Sequence, residues 1–89
     1  MEKCCYIISY DISNKDNYDD LYDAIKSYGT WAKITESTWG IITSSSAEQV
    51  RNFLKSKIDN KDRLFIVKSN GVGAWSNVIC SNDWLKKNL

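Results

Sequence analysis

The chain has 89 residues, room for one domain, and its 12 basic and 11 acidic side chains leave a formal charge of +1; that is not the concentrated positive surface of a strong duplex binder. It contains no histidine, so the commonest general base and the commonest metal ligand are both missing, and catalysis falls to carboxylates, hydroxyls, lysine, tyrosine, cysteine or a carboxylate-held cation. Its three cysteines, two of them adjacent, read as reduced, buried thiols rather than a disulfide or metal framework.

No apolar run is long enough for a membrane span or laid out as a signal peptide, so a cytoplasmic location and no membrane partner are expected. Four Trp and five Tyr are a large aromatic complement for this length. Most are expected in the core, with some free to stack on bases or a partner.

The first predicted strand is Lys3–Tyr10. Cys4, Tyr6, Ile8 and Tyr10 share one face; Cys5, Ile7, Ser9 and then Asp11 share the other. Both faces are substantially apolar, so this strand is expected at the centre of a sheet covered on both sides. The chain's own helices cover one side, and a second subunit is the simplest cover for the other, which makes a homodimer the expected assembly.

A polar loop, Asp11–Asn17, leads into an amphipathic helix marked by Tyr18, Leu21, Tyr22, Ile25 and Tyr28, whose three- and four-residue spacings define one face. Gly29 is its natural stop. Trp31–Ile34 and Thr38–Thr43 read as two strands joined through Thr35-Glu36-Ser37, a turn without the Asn-Gly signal that would fix its register. Ser45 with Glu48, or Ser46 with Gln49, forms a capping box ahead of a second helix whose buried stripe is Ala47, Val50, Phe53, Leu54 and Ile58. After the polar turn Asp59–Asp62 come a fourth strand, Arg63–Ser69, a glycine-rich loop, Asn70–Trp75, and a short helix over Asn82–Leu89 capped by Ser81. The order βαββαβ predicts one α+β domain over residues 1–89. Its form is a ferredoxin-like sandwich: an antiparallel four-stranded sheet in the order four-one-three-two, with two helices on one face and a short C-terminal helix added.

Asp11 is the candidate for chemistry, because it leaves the edge of the central strand where a carboxylate meets solvent. Two such residues across a two-fold axis would share a hard cation such as magnesium; alternatively Asp11 simply ends the strand or opens an Asx turn with Ser13. Gly71 and Gly73 could bring backbone amides to a phosphate with Trp75 stacked on a base, or form a turn that lets Trp75 plug the core.

The stretch Tyr6-Ile7-Ile8-Ser9-Tyr10-Asp11-Ile12, followed by a helix ending in Ser27-Tyr28-Gly29, resembles the start of the small CRISPR-associated adaptation endoribonucleases (the second Cas protein). It is similar also to their VapD-type ribonuclease toxin relatives. Ala24–Gly29, Ser37-Thr38-Trp39 and Gly71–Ser76 look like a group of small bacterial and phage proteins labelled SinR-family. The resemblance implies a ferredoxin-like homodimer that cleaves RNA with magnesium, Asp11 being the metal ligand and catalytic residue. Tyr10, Ser9 and Ser13 would then position substrate. The chain departs from that family in carrying only Lys15 and Lys33 where basic residues cluster, and a glycine-rich loop and helix in place of the fifth strand. Two other readings use the same fold: a non-catalytic dimer holding a small nucleotide or signalling ligand in a regulatory or anti-defence role, and a module that docks a host protein by its sheet face or edge strand.

Overall fold

A computed structural model describes residues 2–13 and 18–89; the part of the predicted loop at 14–17, with Lys15, lies outside the described residues. The elements are β1 (Cys4–Asp11), α1 (Tyr18–Lys26), β2 (Thr30–Thr35), β3 (Thr38–Thr43), α2 (Ala47–Lys55), β4 (Arg63–Lys68) and α3 (Asn82–Asn88). The four strands form one antiparallel sheet in the order β2-β3-β1-β4. This is the ferredoxin-like topology predicted from the element order, with the most apolar strand inside. Among the described residues no helix is long and apolar enough to cross a membrane.

Local chemistry sets the boundaries. Helix α1 ends as Tyr28 and Gly29 donate their amides to the carbonyls of Ile25 and Lys26, tightening the last turn, and Gly29 then takes φ +89°, a conformation that costs glycine little. Of the two possible capping boxes at α2, the one formed is Ser46 with Gln49: the Gln49 amide donates to Ser46 Oγ at 3.1 Å, and the Ser46 amide to Gln49 Oε1 at 2.8 Å. Ser81 caps α3 by accepting the Trp84 amide at 3.1 Å. The β2–β3 turn is shorter than the three-residue link predicted. Thr35 pairs with Thr38, and the extra residue is taken up by a register shift between Lys33 and Thr35, a bulge at Ile34.

The parity of β1, open in the sequence, is now fixed. Tyr6, Ile8 and Tyr10 face α1 and α2 and pack with Leu21, Ala24, Ile25, Val50 and Leu54. Cys5 and Ile7 face the other way. That second side is covered at its centre by the chain's own C-terminal segment: Leu85 is 1% exposed, and the Ile79 amide donates to the Ile34 carbonyl at 2.9 Å. The Trp84 ring lies over Gly40, close enough that a Cβ there would sit 2.9 and 3.0 Å from two ring carbons. Toward β4 the cover stops, leaving Phe65 61% and Val67 43% exposed.

Because Gly40 is the floor on which Trp84 rests, Gly40→Ala should destabilise the fold by about 1–3 kcal/mol through overpacking. Urea unfolding measures this, and the penalty should shrink when Trp84→Leu is made first; equal penalties in both backgrounds would show that the contact does not set the cost.

Candidate functional site

Asp11 is the last residue of β1 and is paired in register with Arg63, the first residue of β4. Both side chains stand on the face away from α1 and α2. Arg63 Nη1 donates to Asp11 Oδ2 at 2.9 Å, with the carboxylate 70% and the guanidinium 83% exposed. Two residues beyond the end of β1, a second tie joins the same two chain segments: the Ser13 amide and hydroxyl both donate to Asp62 Oδ1, at 3.0 and 3.1 Å. The other oxygen of Asp62 accepts the Asp59 amide at 3.0 Å, which closes the turn that launches β4. The end of β1 and the start of β4 are thus held by two polar clips. On the strand side of the Asp11–Arg63 pair, Ser9 and Phe65 join these two residues in lining a shallow groove of about 250 Å³.

Tyr10 points the other way. It is 5% exposed, on the helix side, where its hydroxyl donates to the Glu36 carbonyl and accepts the Trp39 indole N–H, each at 3.0 Å. Burial pushes its phenol pKa well up from the ordinary value, the neighbouring Tyr22 hydroxyl adds to the rise, and the Trp39 hydrogen bond opposes it. Rings of Tyr18, Tyr22 and Trp39 surround it in a continuous aromatic cluster. The predicted substrate contact at Tyr10 is therefore replaced by a structural one: strand alternation sends its side chain into the core precisely because it places Asp11 outside.

Gly71, Gly73 and Trp75 lie at the opposite end of the sheet. Their loop leaves beside Cys5, whose carbonyl accepts the Ser69 amide at 2.8 Å, six residues and about 20 Å along β1 from Asp11. The Gly71 and Val72 amides turn back to Ser69 Oγ and Asn70 Oδ1, at 3.4 and 3.3 Å, rather than converging on a common point. Gly73 lies against Leu89, and half-buried Trp75 donates its indole N–H to Asn82 Oδ1 at 3.0 Å. Loop and α3 thus brace one another above an apolar groove lined by Ile7, Val67, Val72 and Trp75. The structure brings Ser9, Asp11 and Ser13 together and separates them from Gly71, Gly73 and Trp75.

Arg63 and Asp62 are the residues that sequence reasoning missed as parts of the site. Antiparallel pairing of the first and fourth strands necessarily brings the end of one to the start of the other, but the register that sets Arg63 against Asp11 was not written in either segment alone. As for a metal, among the described residues no group of three or more His, Cys, Asp or Glu is gathered to hold one. Asp11 gives one ligand per chain, and its charge is matched by Arg63.

A scan against protein-family models returns no match, and no curated protein gives a significant match. Among solved structures, the hypothetical protein TT1823 from Thermus thermophilus is similar, with a TM-score of 0.70 and 24% identity over 85% of this chain and 94% of that one. The likeness is one of fold, and it extends over nearly the whole of that protein.

The hydrogen-bond role of Tyr10 carries its own prediction. Tyr10→Phe should cost about 1–3 kcal/mol, because it leaves the buried Trp39 N–H without an acceptor. Since the native phenol holds its proton beyond the pH at which an unfolded tyrosine ionises, the stability it contributes is present below about pH 10 and lost above it. Denaturant titrations from neutral to alkaline pH should show a shallower alkaline loss in the variant; identical slopes would remove Tyr10 as the source.

Proposed function

We propose that this chain acts as a homodimeric, metal-dependent endoribonuclease, with the Asp11–Arg63 end of the β1–β4 pair as its reacting end. The observation that carries this reading is the exposed carboxylate and guanidinium held side by side at 2.9 Å on one open face. The resemblance at the end of the first strand supports it, as does a sheet surface left apolar at Phe65 and Val67 for a second copy.

In this reading the Asp11 carboxylate would hold magnesium, which when bound would supply the positive charge that phosphodiester cleavage requires. Arg63 releases part of its hold on Asp11 and places its planar donor fork on the phosphate oxygens, a geometry that guanidinium matches in two bonds. Ser9, on the same face, offers a hydroxyl to the substrate. The Ser13–Asp62 clip fixes the loop after Asp11, so that the carboxylate is presented from a braced strand end rather than a free loop.

A second reading is a non-catalytic module in which Arg63 and Ser9 hold the phosphate of a small nucleotide. It is favoured by the balance of charge at the site, where the Asp11 carboxylate already has a cationic partner. Calorimetric titration with a panel of mononucleotides and cyclic dinucleotides separates the two: saturable heat without cleavage of RNA selects it.

Asp11→Asn should reduce magnesium-dependent cleavage of labelled single-stranded RNA by about a hundredfold or more, and Arg63→Gln by about tenfold to a hundredfold. Stability should change little in either, since an exposed ion pair is worth about 0–1 kcal/mol. EDTA should abolish the activity, and light scattering should give twice the chain mass. Cleavage that persists undiminished in Asp11→Asn, or a strictly monomeric protein, would defeat this assignment.

A further inference from the structure

A sheet edge is a row of unpaired amides and carbonyls, and proteins that stay single guard it with proline, a bulge, a charge or a covering segment. The outer side of β2 is met by the chain's own C-terminal segment through the Ile79–Ile34 hydrogen bond. Strand β4 lies at the other end of the sheet, beside β1, and among the described residues no backbone hydrogen bond reaches its outer side. The chain has no proline, and the β1–β4 pairs run without a shift. The charges of β4, Arg63 and Lys68, sit at its ends, and its centre, Leu64-Phe65-Ile66-Val67, is apolar.

The ladder fixes which groups are open. Because the Ser69 amide donates to the Cys5 carbonyl, the odd-numbered residues Arg63, Phe65 and Val67 turn their amides and carbonyls toward β1, and Leu64, Ile66 and Lys68 turn theirs outward. A second β4 exchanges bonds with these groups only when even residues stand opposite even ones. With a two-fold axis at Ile66, Ile66 faces its own copy, Leu64 faces Lys68, Phe65 faces Val67 and Arg63 faces Ser69. No charge meets its own sign directly across this seam. Lys68 of the second copy arrives beside a cavity lined by Asp59 and Asp62 as well as Arg51 and Lys55. The Phe65–Val67 contact forms twice, and it joins side chains that a single copy leaves 61% and 43% exposed into one apolar strip.

We propose that two copies of this chain pair through β4, antiparallel and centred on Ile66, so that the two sheets become one continuous sheet with α1 and α2 of both copies on the same face. The contact uses the same patch on each copy, so it closes at two, and the C-terminal segment over β2 keeps the far edges from extending it. The Asp11–Arg63 pairs then stand about 25 Å apart, from three strand spacings and six residues of offset, and each copy carries its own site. This pairing rests on the homodimer of the reading above and not on cleavage of RNA.

The test uses two variants at exposed positions, Phe65→Cys and Val67→Cys, oxidised separately and as a mixture, with the unmodified chain as the control for its own thiols. Opposed residues that exchange no hydrogen bonds lie close enough for a disulfide, whereas the two copies of either position alone stand about 8 Å apart, beyond its reach. A cross-linked dimer should therefore form in the mixture, and each variant alone should stay at the level of the control. Lys68→Pro should raise the dimer dissociation constant about tenfold or more over Lys68→Gln, because proline removes an outward N–H, and with it two bonds across the seam, at a place where an edge strand tolerates it. Hydrogen exchange at Leu64, Ile66 and Lys68 should slow as protein concentration rises. A dimer by mass that cross-links equally in the single variants, or not at all in the mixture, would overturn the edge pairing and leave the homodimer standing. A chain that stays monomeric would overturn both.

Discussion

A strand that is apolar on both faces must be covered twice, and in a chain of this size that requirement organises everything else. Strand β1 meets it on one side with α1 and α2, which together enclose Tyr6, Ile8 and Tyr10. On the other side the solution is unusual in its materials: a C-terminal segment lies against the sheet, and its approach depends on the missing side chain of Gly40, over which the Trp84 ring settles. A sheet with a residue of any size at that position would hold the tryptophan farther away, and Leu85 would lose its enclosure. The small core of an 89-residue chain thereby gains a second layer without a second helical pair.

That arrangement explains where the polar features sit. Cover from the C-terminal segment is centred on Gly40 and Ile34 and does not extend over the far end of β1 and β4, so Asp11 and Arg63 stay in water while remaining on a rigid ladder. The alternation that buries Tyr10 is the same one that exposes Asp11. Neighbouring residues in one sequence motif therefore have opposite fates, one shaping the core and the other facing whatever approaches the sheet.

Much of the architecture was legible in the sequence because it rests on short-range signals. The spacing of Leu21, Tyr22 and Ile25, the serine hydroxyls before Ala47 and Asn82, and the unbroken apolar run of the first strand each state their element within a few residues. What was not legible depends on pairing between distant segments. The parity of β1 follows from which face the helices select, the Ile34 bulge from the register of β2 on β3, and the Asp11–Arg63 and Ser13–Asp62 contacts from the register of β1 on β4. How far the Gly71, Gly73 and Trp75 loop lies from Asp11 is likewise a fact that only the sheet supplies: the loop after an antiparallel fourth strand returns to the beginning of the first strand, not to its end.

The tether from Tyr10 to the β2–β3 turn has a consequence for how the chain acquires its structure. A hairpin with an Asn-Gly turn closes by itself, but here the tip at Glu36 and Ser37 is held by the side chain and the amide of Tyr10, 26 or more residues away in sequence. The bulged register of that hairpin is thus defined only once β1 lies alongside it. Productive closure of the hairpin becomes a late, long-range event, and the folding rate should follow the cost of bringing the ends of this large loop together rather than the speed of a local turn.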